Sequence, residues 1–160
     1  MERSIMRTLD EIVAESPVFA GLEPAQRQLI AGCAHNTAVG SGERLFREGE
    51  PADTFFLLRR GRVALTTHVP GRGDVTVDTV EPGEVLGWSW LFPPYTWHFD
   101  ARAVGDAGLV AFDGACLRGK CSDDHALGYE LLQRFAQVLI DRLQHTRTLL
   151  LDVYGDGNGS

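Results

Sequence analysis

Gly49-Glu50-Pro51-Ala52-Asp53-Thr54-Phe55-Phe56-Leu57-Leu58-Arg59-Arg60-Gly61-Arg62-Val63 decides the architecture. Gly49 through Pro51 carries turn chemistry, with glycine free in φ and proline fixed in it. Phe55-Phe56-Leu57-Leu58 is strongly strand-forming, and Gly61 predicts a reversal into a partner strand, Val63-Ala64-Leu65-Thr66-Thr67. The unit is a turn, a strand, a glycine reversal and a second strand.

Outward from this unit the same grammar continues. Arg44-Leu45-Phe46 precedes it, after a turn at Val39-Gly40-Ser41-Gly42. Beyond the reversal at Pro70-Gly71-Arg72-Gly73-Asp74, Val75, Val77 and Thr79 alternate with Thr76, Asp78 and Val80, as a half-buried strand requires. Phe99 through Val104 resumes the alternation, Gly105-Asp106-Ala107-Gly108 turns it, and Leu109-Val110-Ala111-Phe112 supplies another strand. Many short strands at this spacing predict a double-sheet jelly-roll barrel over residues 37–121. Ahead of it, residues 1–36 read as a helical layer: one helix over Ser4–Glu15, closed by Pro17, and one from Pro24 to Ala31, ended by Gly32. After the barrel, a long helix is expected over 122–154, with 155–160 as a disordered polar tail. The fold class is mainly β with flanking helices, a jelly-roll barrel followed by a long C-terminal helix.

One segment interrupts the strands. Glu81–Arg102 holds all three tryptophans, Trp88, Trp90 and Trp97. Pro82-Gly83 is a turn, and Gly87 permits a positive φ or a close backbone approach. Trp88-Ser89-Trp90-Leu91-Phe92 is long enough for one or two helical turns before Pro93-Pro94 stops them. Such a turn would seat an anion on its unpaired N–H groups. The plainer alternative is a strand connection whose aromatic rings form their own small core.

The totals exclude several function classes. With 15 basic and 22 acidic residues among 160, the net charge of -7 disfavours nucleic acid and anionic membrane surfaces as partners. No apolar run approaches the ~20 residues of a membrane span, and no secretory leader is visible, so the expected compartment is the cytoplasm. Cys33, Cys116 and Cys121 are odd in number and lack a metal or disulfide framework. The Cys116–Cys121 spacing suggests a thiol pair, but buried or free thiols are the stronger expectation. His35, His68, His98, His125 and His145 show no ligand spacing, and no nucleophile elbow or phosphate loop occurs. Neither an enzyme, a metal nor a cofactor is expected.

In the long helix, Leu132, Phe135, Leu139, Leu143, Thr146, Leu150 and Val153 recur at three- and four-residue intervals. The helix is longer than the barrel needs, so its later turns are expected to pair with a second copy in a homodimer.

Val18-Phe19-x-x-Leu22, the Gly49–Val63 unit and the glycines Gly83 and Gly87 together resemble the cyclic-nucleotide-binding domain of bacterial catabolite-activator-type (Crp/Fnr-like) regulators and kinase regulatory subunits. The resemblance covers roughly Val18 through Val153. It implies that residues 83–102 are the family's phosphate-binding cassette. It also implies that the glutamate the family places after the cassette glycine is here Trp88, and that the phosphate-pairing arginine near the cassette's end is here Trp97. Losing the arginine contact costs about 1.5–3 kcal/mol and losing the hydroxyl acceptor a further ~1–3, roughly two to four decades in affinity. The candidate ligand-binding set is therefore Gly87, Trp88, Ser89, Trp90, Trp97, His98, Phe99 and Arg102, either around a flat or apolar ligand or filled by its own rings. The family's regulators continue past the long helix into a helix-turn-helix domain. With Ser160 as the last residue, direct DNA contact is not expected. The functions that remain are a regulatory, ligand-sensing module and a structural or interaction module, either of which could serve an unidentified protein partner.

Overall fold

The computed structural model describes residues 8–158, with side chains through Leu149 and at Leu151 and Asp152. Its spine is two long antiparallel strands, β3 (Thr54–Val69) and β6 (Asp100–Asp113), paired from Thr54↔Asp113 to Thr66↔Asp100. β1 (Ala34–Val39) lies along the second half of β6, and β2 (Arg44–Phe46) along its first half. β4 (Gly73–Val80) pairs with the second half of β3, and β5 (Val85–Leu86) with Phe56 and Leu57.

The sequence predicts four strands where the fold has two. Gly61 and Gly105 bend their strands at φ +84° and +80° without ending them. The β3–β6 register shifts on either side of Arg60, so the pair turns a corner together. A side chain at Gly61 would lie 2.4 Å from the Asp106 carbonyl oxygen, so only glycine permits this approach. Because each strand turns the corner, each serves two cores. Phe55, Leu57, Val110 and Phe112 face a core shared with the helices, while Leu58, Val63, Leu65, Ala101, Ala103 and Leu109 fill the barrel.

The helical layer is α1 (Leu9–Glu15), a 3-10 turn (Pro17–Phe19) and α2 (Pro24–Ala31). Residues 4–7 of the expected first helix lie outside the described residues. Thr8 caps α1 through its hydroxyl, and Glu23 with Gln26 forms a capping box on α2. The barrel ends at Asp113, earlier than expected. Asp113 caps α3 (Gly114–Asp123), and the chain breaks at Asp124 before α4 (His125–Asn158). The Asp124 carboxylate accepts from the Leu127 N–H, starting the second helix. α4 runs past Tyr154 through Asn158, so 155–158 is helical rather than a disordered tail. Propagation from a long helix adds one hydrogen bond per residue and carries the glycines with it.

Two further expectations are corrected. Phe135 does not face a second copy: it is fully buried, edge-on to Phe55 and Trp90 at 5.0 and 5.4 Å. At about 100° per residue it sits roughly 60° round the helix from Leu132, on the border between two faces, and the larger aromatic contact decides the matter. Cys33 and Cys116 are not free thiols but form a disulfide with Cα atoms 6.0 Å apart; Cys121 alone is free. The two lie 83 residues apart in sequence, and closing so long a loop restricts the unfolded chain by about 4–5 kcal/mol in the chain-entropy account.

Candidate functional site

β5 delivers the chain to Gly87, whose φ is +91°. From there to Phe99 the backbone is a series of turns with no helix. The expected helical anion seat does not form, and a single turn closed by Leu91 N–H to the Trp88 carbonyl (3.1 Å) stands in its place. Packing overrides propensity here because the tryptophans must leave in different directions. Trp90 goes to the helical core, stacked on Phe55 at 4.9 Å, and its indole N–H finds no acceptor. Trp97 goes into the barrel. Trp88 stays half-buried, stacked on His98 and edge-on to Phe99.

Trp97 decides the shape of the site. Its ring lies flat on Phe46, centroids 3.7 Å apart and planes within 8°. Its far edge covers Gly87 so closely that a Cβ there would sit 2.6 Å from it. The backbone around Trp97 is fixed to the turn that opens the barrel: Trp97 N–H donates to the Glu50 carbonyl at 3.0 Å, and the Gly49 N–H donates back to the Trp97 carbonyl at 2.8 Å. The cavity bounded by Phe46, Leu65, Gly87, Trp88, Trp97 and Phe99 is about 10 Å³. That is no more than the ~10–15 Å³ one water needs. At its rim, the buried Ser89 hydroxyl meets His98 Nδ1 at 2.9 Å.

The fold thus brings together Gly87, Trp88, Ser89, Trp97, His98 and Phe99, and separates the other two expected residues from them. Trp90 belongs to the helical core, and Arg102 donates from β6 to the Gly42 carbonyl at 2.8 Å. Of the helix residues, Leu132 and Leu143 are 45% and 70% exposed; Leu139 is half-buried and Thr146 exposed. The side chains of Leu150 and Val153 lie outside the described residues.

Two arginines at the site were invisible in the sequence. Arg118 of α3 donates to the Trp90 carbonyl at 2.5 Å, pairs with Asp53 at 3.3 Å and lies 4.5 Å over the Tyr95 ring. Arg142 of α4 pairs with Asp78 on β4 at 2.5 Å and donates to the Val85 carbonyl of β5 at 3.1 Å. Both partners of that pair are more than four-fifths buried, at 16% and 12% exposed, beside a cavity of about 510 Å³ between α4 and the β4–β5 turn. The only signal for either would have been a lone cation on a helix face, which usually means a solvated surface.

Residues 37–124 match the cyclic nucleotide-binding domain. The chain belongs to that family. A "CRP-like cAMP-activated global transcriptional regulator" of Mycobacterium tuberculosis is 26% identical over 145 residues, 91% of this chain and 63% of the regulator, so this chain spans less than two thirds of that relative's length. A Geobacter metallireducens protein classed as cyclic nucleotide-binding is 30% identical, with a TM-score of 0.77 over 86% of this chain and 99% of that one. A cyclic nucleotide-binding domain of Methylobacillus flagellatus shares the fold at 19% identity, with a TM-score of 0.77 over 94% of this chain and 85% of its own. In this cyclic nucleotide-binding domain Arg118 holds the segment at Trp90 and Tyr95, and Trp97 closes it against Phe46.

Proposed function

We propose that the chain is a regulatory module of the cyclic nucleotide-binding class that does not take a cyclic nucleotide through the family's glutamate and arginine contacts. The observation that carries this reading is the stack of Trp97 on Phe46 over Gly87, which leaves about 10 Å³ where a ligand would need a pocket of several hundred. Trp97 and Trp88 hold the positions that the resemblance assigns to the phosphate-pairing arginine and the ribose-binding glutamate. An indole supplies one N–H donor and no acceptor, so it reproduces neither contact. The module's output surface is α4, where Leu132, Ile140 and Leu143 stand exposed and pair with a second copy. It works as a cytoplasmic homodimer and performs no catalysis.

A structural or interaction module with the same filled barrel is the second reading, favoured by the closure itself. Thermal melting separates these readings from a nucleotide sensor. With cyclic AMP or cyclic GMP at millimolar concentration the melting temperature should not move. A nucleotide present at a hundred times its dissociation constant would add about 2.7 kcal/mol, a rise of roughly 5–10 °C. Such a rise would refute the proposal. A shift produced instead by a flat, apolar, non-nucleotide ligand, lost in Trp97→Ala, would favour the ligand-sensing module over the structural one.

A further inference from the structure

α3 is built as a bridge. One flank is fastened to the junction of α2 and β1: the Cys33–Cys116 disulfide joins them, and Lys120 Nζ donates to the Leu29 carbonyl at 2.8 Å. The other flank is fastened to the cassette. Arg118, two residues from Cys116, holds the Trp90 carbonyl and the Tyr95 ring. At the start of α3, Gly114 donates to the Asp53 carbonyl at 2.7 Å and lies so near Trp90 that a Cβ would approach it to 3.0 Å. Any change in how α3 sits against α2 is therefore felt at Trp90, inside the cassette.

We propose that Cys33 and Cys116 are a reversible thiol–disulfide pair whose state sets the hold of α3 on the cassette. The two residues differ in exposure: Cys33 is 6% exposed, while Cys116 is half-buried on the first turn of α3. Small thiols therefore enter at Cys116. The thiolate of a low-molecular-weight thiol attacks Cys116 Sγ, forms a mixed disulfide and expels Cys33 as a thiolate, which takes a proton. A second small thiolate then attacks the sulfur of the small thiol in the mixed disulfide, expelling Cys116 as a thiolate that takes up a proton. The protein gains two electrons and two protons, and the two small thiols leave as their disulfide. Oxidation by a low-molecular-weight disulfide is the reverse. Cys121 stands outside the exchange: burial, and then the charge of Asp124, push its thiol above its ordinary value of 9.0, so it is a poor nucleophile near neutral pH. The exchange proceeds whether or not any ligand enters the barrel.

The test uses the full chain oxidised and then reduced with a dithiol, with backbone hydrogen exchange followed over 87–99. Reduction should speed exchange in that segment by about tenfold or more, and reoxidation should reverse it. Cys116→Ser should exchange at the reduced rate in either buffer, and Cys121→Ser should respond as the native chain does. If Cys116→Ser does not fold, the reduced native chain answers the same question. Equal cassette exchange in the two states would overturn the inference. So would a linkage other than Cys33–Cys116 in non-reducing peptide maps, or a pair that stays oxidised across all ratios of reduced to oxidised glutathione.

Discussion

At Gly87 and Trp97 two demands meet in one place. The backbone needs a φ of +91°, and the indole needs the volume a side chain would occupy. Gly87→Ala should therefore carry backbone strain of about 1–3 kcal/mol together with a steric term. In a Trp97→Ala background the steric term disappears and the strain remains. Urea unfolding of the four proteins should show a coupling of at least ~1 kcal/mol, whereas simple additivity would mean the indole is not over Gly87. Phe135 offers a second residue-level check. Phe135→Ala should cost about 3–5 kcal/mol in the same measurement, as a ring buried against Phe55 and Trp90 requires. A loss below about 1 kcal/mol would return it to the exposed stripe.

Among the elements, α4 is held to the barrel by the pair Arg142–Asp78 and by the Arg142 bond to Val85, two residues before Gly87. Removing Arg142 leaves the largely buried Asp78 carboxylate with only the Thr79 N–H at 2.8 Å and His145 Nε2 at 3.7 Å, at a cost of about 1–3 kcal/mol. Arg142→Ala should thus be more destabilising than Arg142→Ala combined with Asp78→Ala, and the reverse order in thermal melts would deny the pair. Element identities were largely legible in the sequence, because period-2 alternation marks a half-buried strand and three- and four-residue spacing marks a helix face. Strand continuity was not legible: Gly61 and Gly105 bend a strand through the same freedom with which other glycines end one. Trp88–Phe92 misled for a different reason, since local propensity allowed a helical turn that the divergent packing of Trp90 and Trp97 forbids. Of the site, the resemblance pointed to the segment 83–102, where Gly87, Trp88, Ser89, Trp97, His98 and Phe99 come together around one small cavity while Trp90 turns away to the helical core. Arg118, Arg142 and the Cys33–Cys116 link stayed hidden because each depends on residues 23 to 83 positions apart that only the fold brings together.

At the scale of the whole molecule, the barrel is closed on its own rings while the long helix is left open. Among the described residues no helix is long and apolar enough to cross a membrane, and Leu132, Ile140 and Leu143 stand exposed on α4, the surface proposed to pair with a second copy. Sedimentation should report a dimer for the native chain and a monomer for Leu143→Glu with unchanged secondary structure; a native monomer at micromolar concentration would remove α4 as the pairing surface. Calorimetric titration with cyclic AMP asks whether the barrel admits a nucleotide. The native chain should give no binding heat, while Trp88→Glu with Trp97→Arg, which restores the carboxylate and the guanidinium and removes the ring from Phe46, should bind. Micromolar binding by the native chain would contradict the account, because it would require Trp97 to leave Phe46 and another group to hold the phosphate.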